Sequence, residues 1–529
     1  VSARDVRSYT GARPENRGYA VIRRSVLAAV IVMVLALAGC VSPNGQWSTP
    51  VADKARAPLA AAGGVKWRPC PDVAKASLGR PPANVTYECG TVNVPRDWAK
   101  PNGGKQLGVA LLRARATHQT NRIGSLLVNP GGPGGSGVEL ATYLSAGLPA
   151  ETTQRFDIVG FDPRGVGRSE QVKCFSDAQL DASFGADPDP VSPADFDKAV
   201  TLGRTMAQSC GDKYGDDLRL FSTEQAARDM DAIRAALGEQ KLTYLGYSYG
   251  TLLGAVYAQL FPTRVRAFVL DGAIDPTLGS VAGAESQAKG FERAFDNFAA
   301  WCRDNAGKCP IAPDARAAVT SAIDSARRSP VRGPDGRAAT AGWVQTAVIA
   351  SLYSQEQWIQ LATAIDNLRK GNAASVLRLA DSYAERNPRG QYSNLFDANM
   401  VVNCTDDGST PPVDKLRALQ NDWRTKYPLF GPSTALNLVC AQWPGKRDPY
   451  PAGAAKGAPP ILVVGTTGDP ATPYEQTPKL AEMLGVGVVL TWQGEGHTAY
   501  PQTRCITQAV NRYLIDLTVP AKGTTCPAA

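Results

Sequence analysis

Apolar residues in this chain fall into two alternating patterns. Short continuous runs end in Gly or Pro clusters: 125–129, 156–161, 242–247, 265–271, 460–465 and 487–492. Runs of this kind predict strands of a parallel sheet covered on both faces by helices. Two earlier stretches, 90–95 and 106–115, alternate or run apolar between turn residues and predict antiparallel strands at the start of the sheet.

Between these runs the period is helical. From Ser222 to Gly238, Ala226, Met230, Ile233 and Leu237 recur at helical spacing, with Ser222 and Gln225 placed for a capping box and Gly238 as the stop. After the 265–271 run the next comparable one begins only at Pro460, an interval far beyond an ordinary α/β connection. It is mostly helical: Phe291, Phe295, Phe298 and Cys302 form an apolar stripe, and Gly342 to Arg369 predicts one long helix. An insertion there would sit over the carboxyl ends of the strands, where open parallel sheets bind ligands, and is read as a cap. A closing helix carries Ile506, Val510, Leu514 and Leu517, and no internal repeat is present.

The predicted organisation is a leader (1–39), a tether rich in Ala, Pro, Ser and Gly (40–64), an α/β core in two parts (65–276 and 456–529), and a helical cap (277–455) between them. With 529 residues, 43% hydrophobic and 20% charged, the chain has the make-up of a soluble globular protein of one large domain with an insertion, or of two domains. Of its formal charge of +8, half belongs to the leader, where six arginines face Asp5 and Glu15. The rest is spread thinly, and no basic run with interleaved aromatics suggests a nucleic-acid partner.

Residues 22–40 combine Arg23 and Arg24 with an apolar run and small residues before Cys40, the layout of a secretory signal. The ending Leu37-Ala38-Gly39-Cys40 resembles a bacterial lipobox, which would make Cys40 the lipid-modified first residue and the membrane the anchor. An ordinary signal with an incidental cysteine is the alternative, and the arginine pair leaves the export route open. The chain opens on Val1, so residues 1–20 are read as an over-extended start. Ten further cysteines, an even number in an exported chain, predict disulfides. Pairing neighbours in order would join 70–89, 174–210, 302–309, 404–440 and 505–526. With only two histidines and no paired CxxC spacing, neither a metal site nor a cofactor is expected.

The chemistry centres on the 242–247 run, which ends in Gly246-Tyr247-Ser248-Tyr249-Gly250 and passes straight into a helical pattern. Strand, tight turn and helix around Gly-x-Ser-x-Gly is the context of a nucleophile elbow. A serine hydroxyl needs a base, usually histidine, itself oriented by a carboxylate. His118 follows a strand end without turn context and reads as an exposed loop residue; His497 lies after a late strand, between glycine and threonine. Asp469, just past the 460–465 run and stiffened by Pro470 and Pro473, completes the order Ser248, Asp469, His497. The segment Asn129 to Gly137 is too rich in glycine for strand or helix; it lacks the lysine of a phosphate-binding loop and suits an oxyanion hole. Backbone N–H groups of Gly132 and Tyr249 are its expected donors.

Five motifs in order, Pro130–Gly134, Gly160–Ser169, Tyr244–Thr251, Gly468–Pro473 and Gly496–Thr498, carry a resemblance to the actinobacterial tripeptidyl aminopeptidase family of α/β-hydrolases, above all to its mycobacterial cell-envelope serine proteases, over nearly everything from Trp67 onward. The resemblance implies an α/β-hydrolase fold with a large cap, and an exported serine hydrolase acting on peptides or peptide-like esters and amides. Related proline iminopeptidases carry His where this chain has Pro130, which alters a side chain and not the backbone of the hole. The family also places a Cys-x-acid element in the cap, which here falls on Cys404 and Asp406 and implies Asp406 as the group that receives a substrate's free α-amine. A solvated Asp406-Asp407 pair is the plainer reading. An esterase or lipase would share the same three residues, and a silent binding lipoprotein is the rival of another class.

Overall fold

The computed structural model describes residues 64–102 and 104–528; the leader, most of the tether and Cys40 lie outside them. Twelve strands are present among the described residues, β1 (Arg68–Pro69), β2 (Val85–Pro95), β3 (Gln106–Ala116), β4 (Gly124–Asn129), β5 (Phe156–Phe161), β6 (Leu242–Tyr247), β7 (Val265–Asp271), β8 (Val331–Arg332), β9 (Ala338–Ala339), β10 (Ile461–Gly468), β11 (Gly487–Glu495) and β12 (Thr525–Cys526). Ten form one sheet in the order β1-β2-β3-β5-β4-β6-β7-β10-β11-β12, while β8 and β9 make a small separate hairpin. From β5 to β12 the pairings are parallel; β1, β2 and β3 are antiparallel, as their alternating pattern predicts. β4, β5 and β6 are buried along their whole length, which explains why they read as unbroken apolar runs.

Helices cover both faces of the sheet. Residues of the Thr223–Ala236 and Tyr249–Leu260 helices form one hydrophobic cluster against it, and Val138, Leu144, Ile506 and Leu514 belong to another. The Ser222 hydroxyl accepts the Gln225 N–H as expected, but the reciprocal half of the capping box is not formed. Gln225 instead turns its carboxamide oxygen to the Trp98 N–H (3.0 Å) and to Arg164, because the helix start is packed under β2.

The helical layer above the strand ends is built from two separate parts of the chain. The 277–455 interval contributes most of it. The stretch between β5 and β6, which the pattern assigns to the core, adds helices Asp177–Gly185 and Pro193–Tyr214, and its Leu180, Met206 and Phe221 share one hydrophobic cluster with Phe291, Trp343 and Ile349. Phe184 stacks on Trp343 at 5.5 Å between ring centroids. The buried residues of that stretch thus complete the cap. All five disulfides pair sequence neighbours as predicted: Cys70–Cys89, Cys174–Cys210, Cys302–Cys309, Cys404–Cys440 and Cys505–Cys526. Three staple the helical layer, and the other two tie the sheet's edges.

The pattern from Gly342 to Arg369 is two helices, Ala341–Leu352 and Trp358–Arg369, with a short turn at Gln355–Gln357. The break is not a sequence stop signal. It falls where Tyr353 and Ser354 meet the loop after β11, the Ser354–Gly496 pair forming an antiparallel bridge.

Candidate active site

Ser248 sits between β6 and the Tyr249–Leu260 helix at φ 54°, ψ −124°, a conformation that a non-glycine residue holds only when its surroundings dictate it. They do so through close backbone packing. A Cβ at Gly246 would collide with the Gly250 carbonyl oxygen, and one at Gly250 would lie 2.9 Å from the Asn129 carboxamide oxygen. Both glycines are therefore obligatory for this turn. The Ser248 N–H donates to the Asp271 carbonyl (2.9 Å) at the end of β7, and Thr251 Oγ1 donates to the Ser248 carbonyl (2.6 Å).

Asp469, one residue beyond β10, and His497, two beyond β11, meet at the same end of the sheet. His497 Nδ1 lies 2.9 and 3.0 Å from the two Asp469 carboxylate oxygens. The same carboxylate accepts the N–H groups of Ala471 (2.9 Å), Thr472 (2.8 Å) and Thr498 (3.2 Å) and the Thr472 hydroxyl (3.0 Å). So many donors hold Asp469 to one orientation and fix the Nδ1–H tautomer, leaving Nε2 as the basic nitrogen. Ser248, Asp469 and His497 are 2%, 0% and 3% exposed. Ser248 Oγ and His497 Nε2 are both buried and make no hydrogen bond within the protein.

The glycine-rich segment after β4 lies directly against the elbow. Gly131, Gly132 and Gly134 take φ of 90°, 112° and 102°, and a Cβ at Gly131 would collide with the Tyr247 carbonyl and lie 2.9 Å from the Tyr249 nitrogen. Asn129 Oδ1 takes the Gly131 N–H (2.9 Å). On the other side, Asn399 of the Leu395–Asp406 helix donates to the Pro133 carbonyl (3.0 Å).

Two supports of this site, Tyr353 and Asp271, have no signal in the sequence pattern, and a third, Arg164, lies in a motif whose role the pattern does not give. Tyr353 accepts the His497 N–H on its carbonyl (2.8 Å) and sets its ring edge-on to the imidazole at 5.3 Å. Asp271, whose carbonyl holds Ser248, turns its carboxylate to the N–H groups of Ala499 (3.0 Å) and Tyr500 (2.7 Å) and so links elbow and histidine loop through one residue. Burial, and secondarily the charge of Asp469, pushes the Asp271 carboxyl up to about 7. Arg164, in the Gly160–Ser169 motif, is buried and forks onto Asp229 (2.6 and 2.7 Å), with its remaining donors on the carbonyls of Pro95, Arg96 and Leu220. That motif is thus a structural clamp beneath the site. Asp271 is visible in sequence only as an ordinary charged residue, and Arg164 only as a member of that motif.

Asp406 lies deeper than an exposed pair would. It is 3% exposed, accepting the Thr223 N–H (2.9 Å) and hydroxyl (2.5 Å), and the Thr223 hydroxyl in turn meets the Tyr249 hydroxyl at 2.5 Å. Burial pushes its carboxyl up to about 8, assisted by the charges of Asp448 and Asp407 and opposed by the Thr223 bonds. His118 is exposed beyond β3 and apart from these residues. Among the described residues, no group of three His, Cys, Asp or Glu side chains is placed to hold a metal ion.

A mostly parallel sheet, a serine at a strained strand-to-helix turn, and an Asp-His pair on the following strand ends together define an α/β-hydrolase of the serine type. Residues 427–526 match the family model described as TAP-like protein. The chain is 38% identical to Serine protease Hip1 of Mycobacterium tuberculosis over 529 aligned residues, 95% of this chain and 97% of that one. It is 38% identical to Carboxylesterase B of the same organism over 83% of this chain and 86% of the relative, and 33% identical to Tripeptidyl aminopeptidase of Streptomyces lividans over 88% and 87%. The chain belongs to this tripeptidyl-aminopeptidase-like family of α/β-hydrolases and is a serine hydrolase.

Proposed function

We propose that the protein is an exported peptidase that cleaves peptides from a free N-terminus through an acyl-enzyme, with Ser248, His497 and Asp469 as its catalytic residues. The observation that carries this reading is the Asp469–His497 Nδ1 pair beside a serine held at positive φ. His497 Nε2 takes the Ser248 proton as Oγ attacks the acyl carbon, and Asp469 stabilises the imidazolium that forms. The developing oxyanion is met by two backbone donors. Tyr249 opens the elbow helix, so its N–H is one of the first-turn groups with no intrahelical partner. Gly132 follows Gly131, whose own N–H is committed to Asn129. His497 then returns the proton to the leaving amine, and water, deprotonated by the same nitrogen, releases the acyl group.

Asp406 is the residue proposed to read the α-amine; its support is its place on the helix whose Asn399 holds the oxyanion segment. Export through the 22–40 leader, with lipid on Cys40 anchoring the folded part to the cell envelope, accords with five disulfides, which persist in oxidising compartments. The test compares a fluorogenic tripeptide amide bearing a free amine with its N-acetylated twin and with a simple ester, using wild type and Ser248→Ala. Hydrolysis of the free-amine peptide alone, abolished in the variant, is expected. Turnover of the ester alone would give the site to an esterase, as the carboxylesterase relative suggests, and activity surviving in Ser248→Ala would refute the assignment of the nucleophile.

A further inference from the structure

The helical layer encloses a mostly apolar cavity of about 290 Å³. Met206, Ile349, Phe396, Met400, Leu419 and Leu438 are among its walls, and none of Ser248, Asp469 or His497 lines it. An apolar cavity of ~150 Å³ accepts a benzene ring, so this one has room for the largest apolar side chain of a peptide.

Three of its walls each reach a different catalytic loop. Gln287, on the Ser280–Asp304 helix, donates its Nε2 to the Ala471 carbonyl (3.2 Å), in the loop that carries Asp469. Ile349 lies one turn before Tyr353, which holds the His497 N–H. Phe396 and Met400 flank Asn399, which holds the oxyanion segment at Pro133. The cavity is therefore bordered by the same elements that support the site.

Gln287 also lines it. Gln287 is 1% exposed, and its Oε1 is buried with no hydrogen-bond partner. A buried acceptor without a donor is destabilising, and a bound N–H group would relieve it. An apolar chamber with an unpartnered acceptor on the residue that holds the loop of Asp469 matches an apolar residue of a peptide, which brings a hydrophobic side chain and a backbone N–H together; a fatty acyl chain brings no donor.

We propose that this cavity is the pocket for one large apolar side chain of the peptide substrate, with Gln287 Oε1 accepting a backbone N–H of that peptide. The proposal rests on the peptidase reading above and gives it a substrate class. Binding to the full-length Ser248→Ala protein is measured by titration calorimetry, using triglycine amide and its relatives with one Phe or Leu at each position in turn.

At one position the apolar residue is expected to tighten binding at least tenfold. Ala284→Trp, one helical turn before Gln287 on the cavity wall, abolishes that gain, and Leu419→Trp does the same from the opposite helix if the first variant does not fold. Gln287→Leu weakens every peptide about fivefold and leaves the apolar preference. Equal binding of all peptides, a preference unaffected by both tryptophan plugs, or displacement of the peptides by decanoate with equal affinity for it would each overturn the pocket. Turnover is read separately with wild type: peptides that bind with the stated preference but are not cleaved would overturn the peptidase reading and leave the pocket standing.

Discussion

Replacing Asp406 by asparagine separates its burial from its proposed role at the α-amine. The carboxyl lies against Thr223, with Asp407 and Asp448 as like-charged neighbours, and its folded value near 8 stands against 3.8 for an ordinary aspartate. Between those values the unfolded chain has lost the proton and the folded protein keeps it. The folded state binds more protons there, so stability falls as pH rises from about 4 to about 8 and is flat outside that window. At ~1.4 kcal/mol per pH unit, the contribution of this one group from pH 5 to pH 8 is about 4 kcal/mol. Asparagine keeps an oxygen for the Thr223 N–H and does not titrate. Its stability relative to wild type should therefore rise by about 4 kcal/mol between pH 5 and pH 8, or ~4 °C in midpoint for an unfolding entropy of ~1 kcal/mol/K in a protein of this size. Calorimetric melts of both proteins at the two pH values, disulfides intact, read the difference directly. Parallel pH dependence of the two proteins would refute the reasoning. The same variant reads the amine role, which needs the ionised carboxylate: above about pH 8, KM for the free-amine peptide should rise more than tenfold while any hydrolysis of its N-acetylated twin is unchanged.

Other residues give sharper single outcomes. Arg164→Met leaves Asp229 buried without its partner and should cost about 3–5 kcal/mol; a melting point within about 1 °C of wild type would show that the clamp is not structural. Gly246→Ala drives a methyl group into the Gly250 carbonyl, so Ser248 should no longer react with a fluorophosphonate probe, and labelling at the wild-type rate would contradict the elbow packing. Asp271→Ala strands the N–H groups of Ala499 and Tyr500, each worth about 1–3 kcal/mol when buried and unpaired. It should lower kcat more than tenfold with little change in KM, and Asp271→Asn should recover part of the loss; an Ala variant with wild-type kcat would remove Asp271 from the support of His497.

What could be read from sequence follows from which interactions are local. β4, β5 and β6 were legible because strands buried on both faces carry unbroken apolar runs, and the elbow because its two glycines are demanded within five residues of chain. The disulfides were legible because each joins neighbouring cysteines within one structural unit. Tyr353, Asp271 and Asn399 were not, because each acts through hydrogen bonds to segments far away in the chain, and such bonds leave no period or spacing behind. The same holds for the Asp177–Gly185 and Pro193–Tyr214 helices, which the predicted domain bounds leave in the core and whose buried residues, Leu180 and Met206 among them, pack in the helical layer instead.

The interruption at Tyr353 has a consequence for how His497 is held. The carbonyl that steadies His497 belongs to the cover over the site, not to the sheet beneath it. Displacing this cover would take a backbone acceptor away from the loop that carries His497. The proposed base is thus held partly from above, so that one contact sets both its position and the seat of the roof over it.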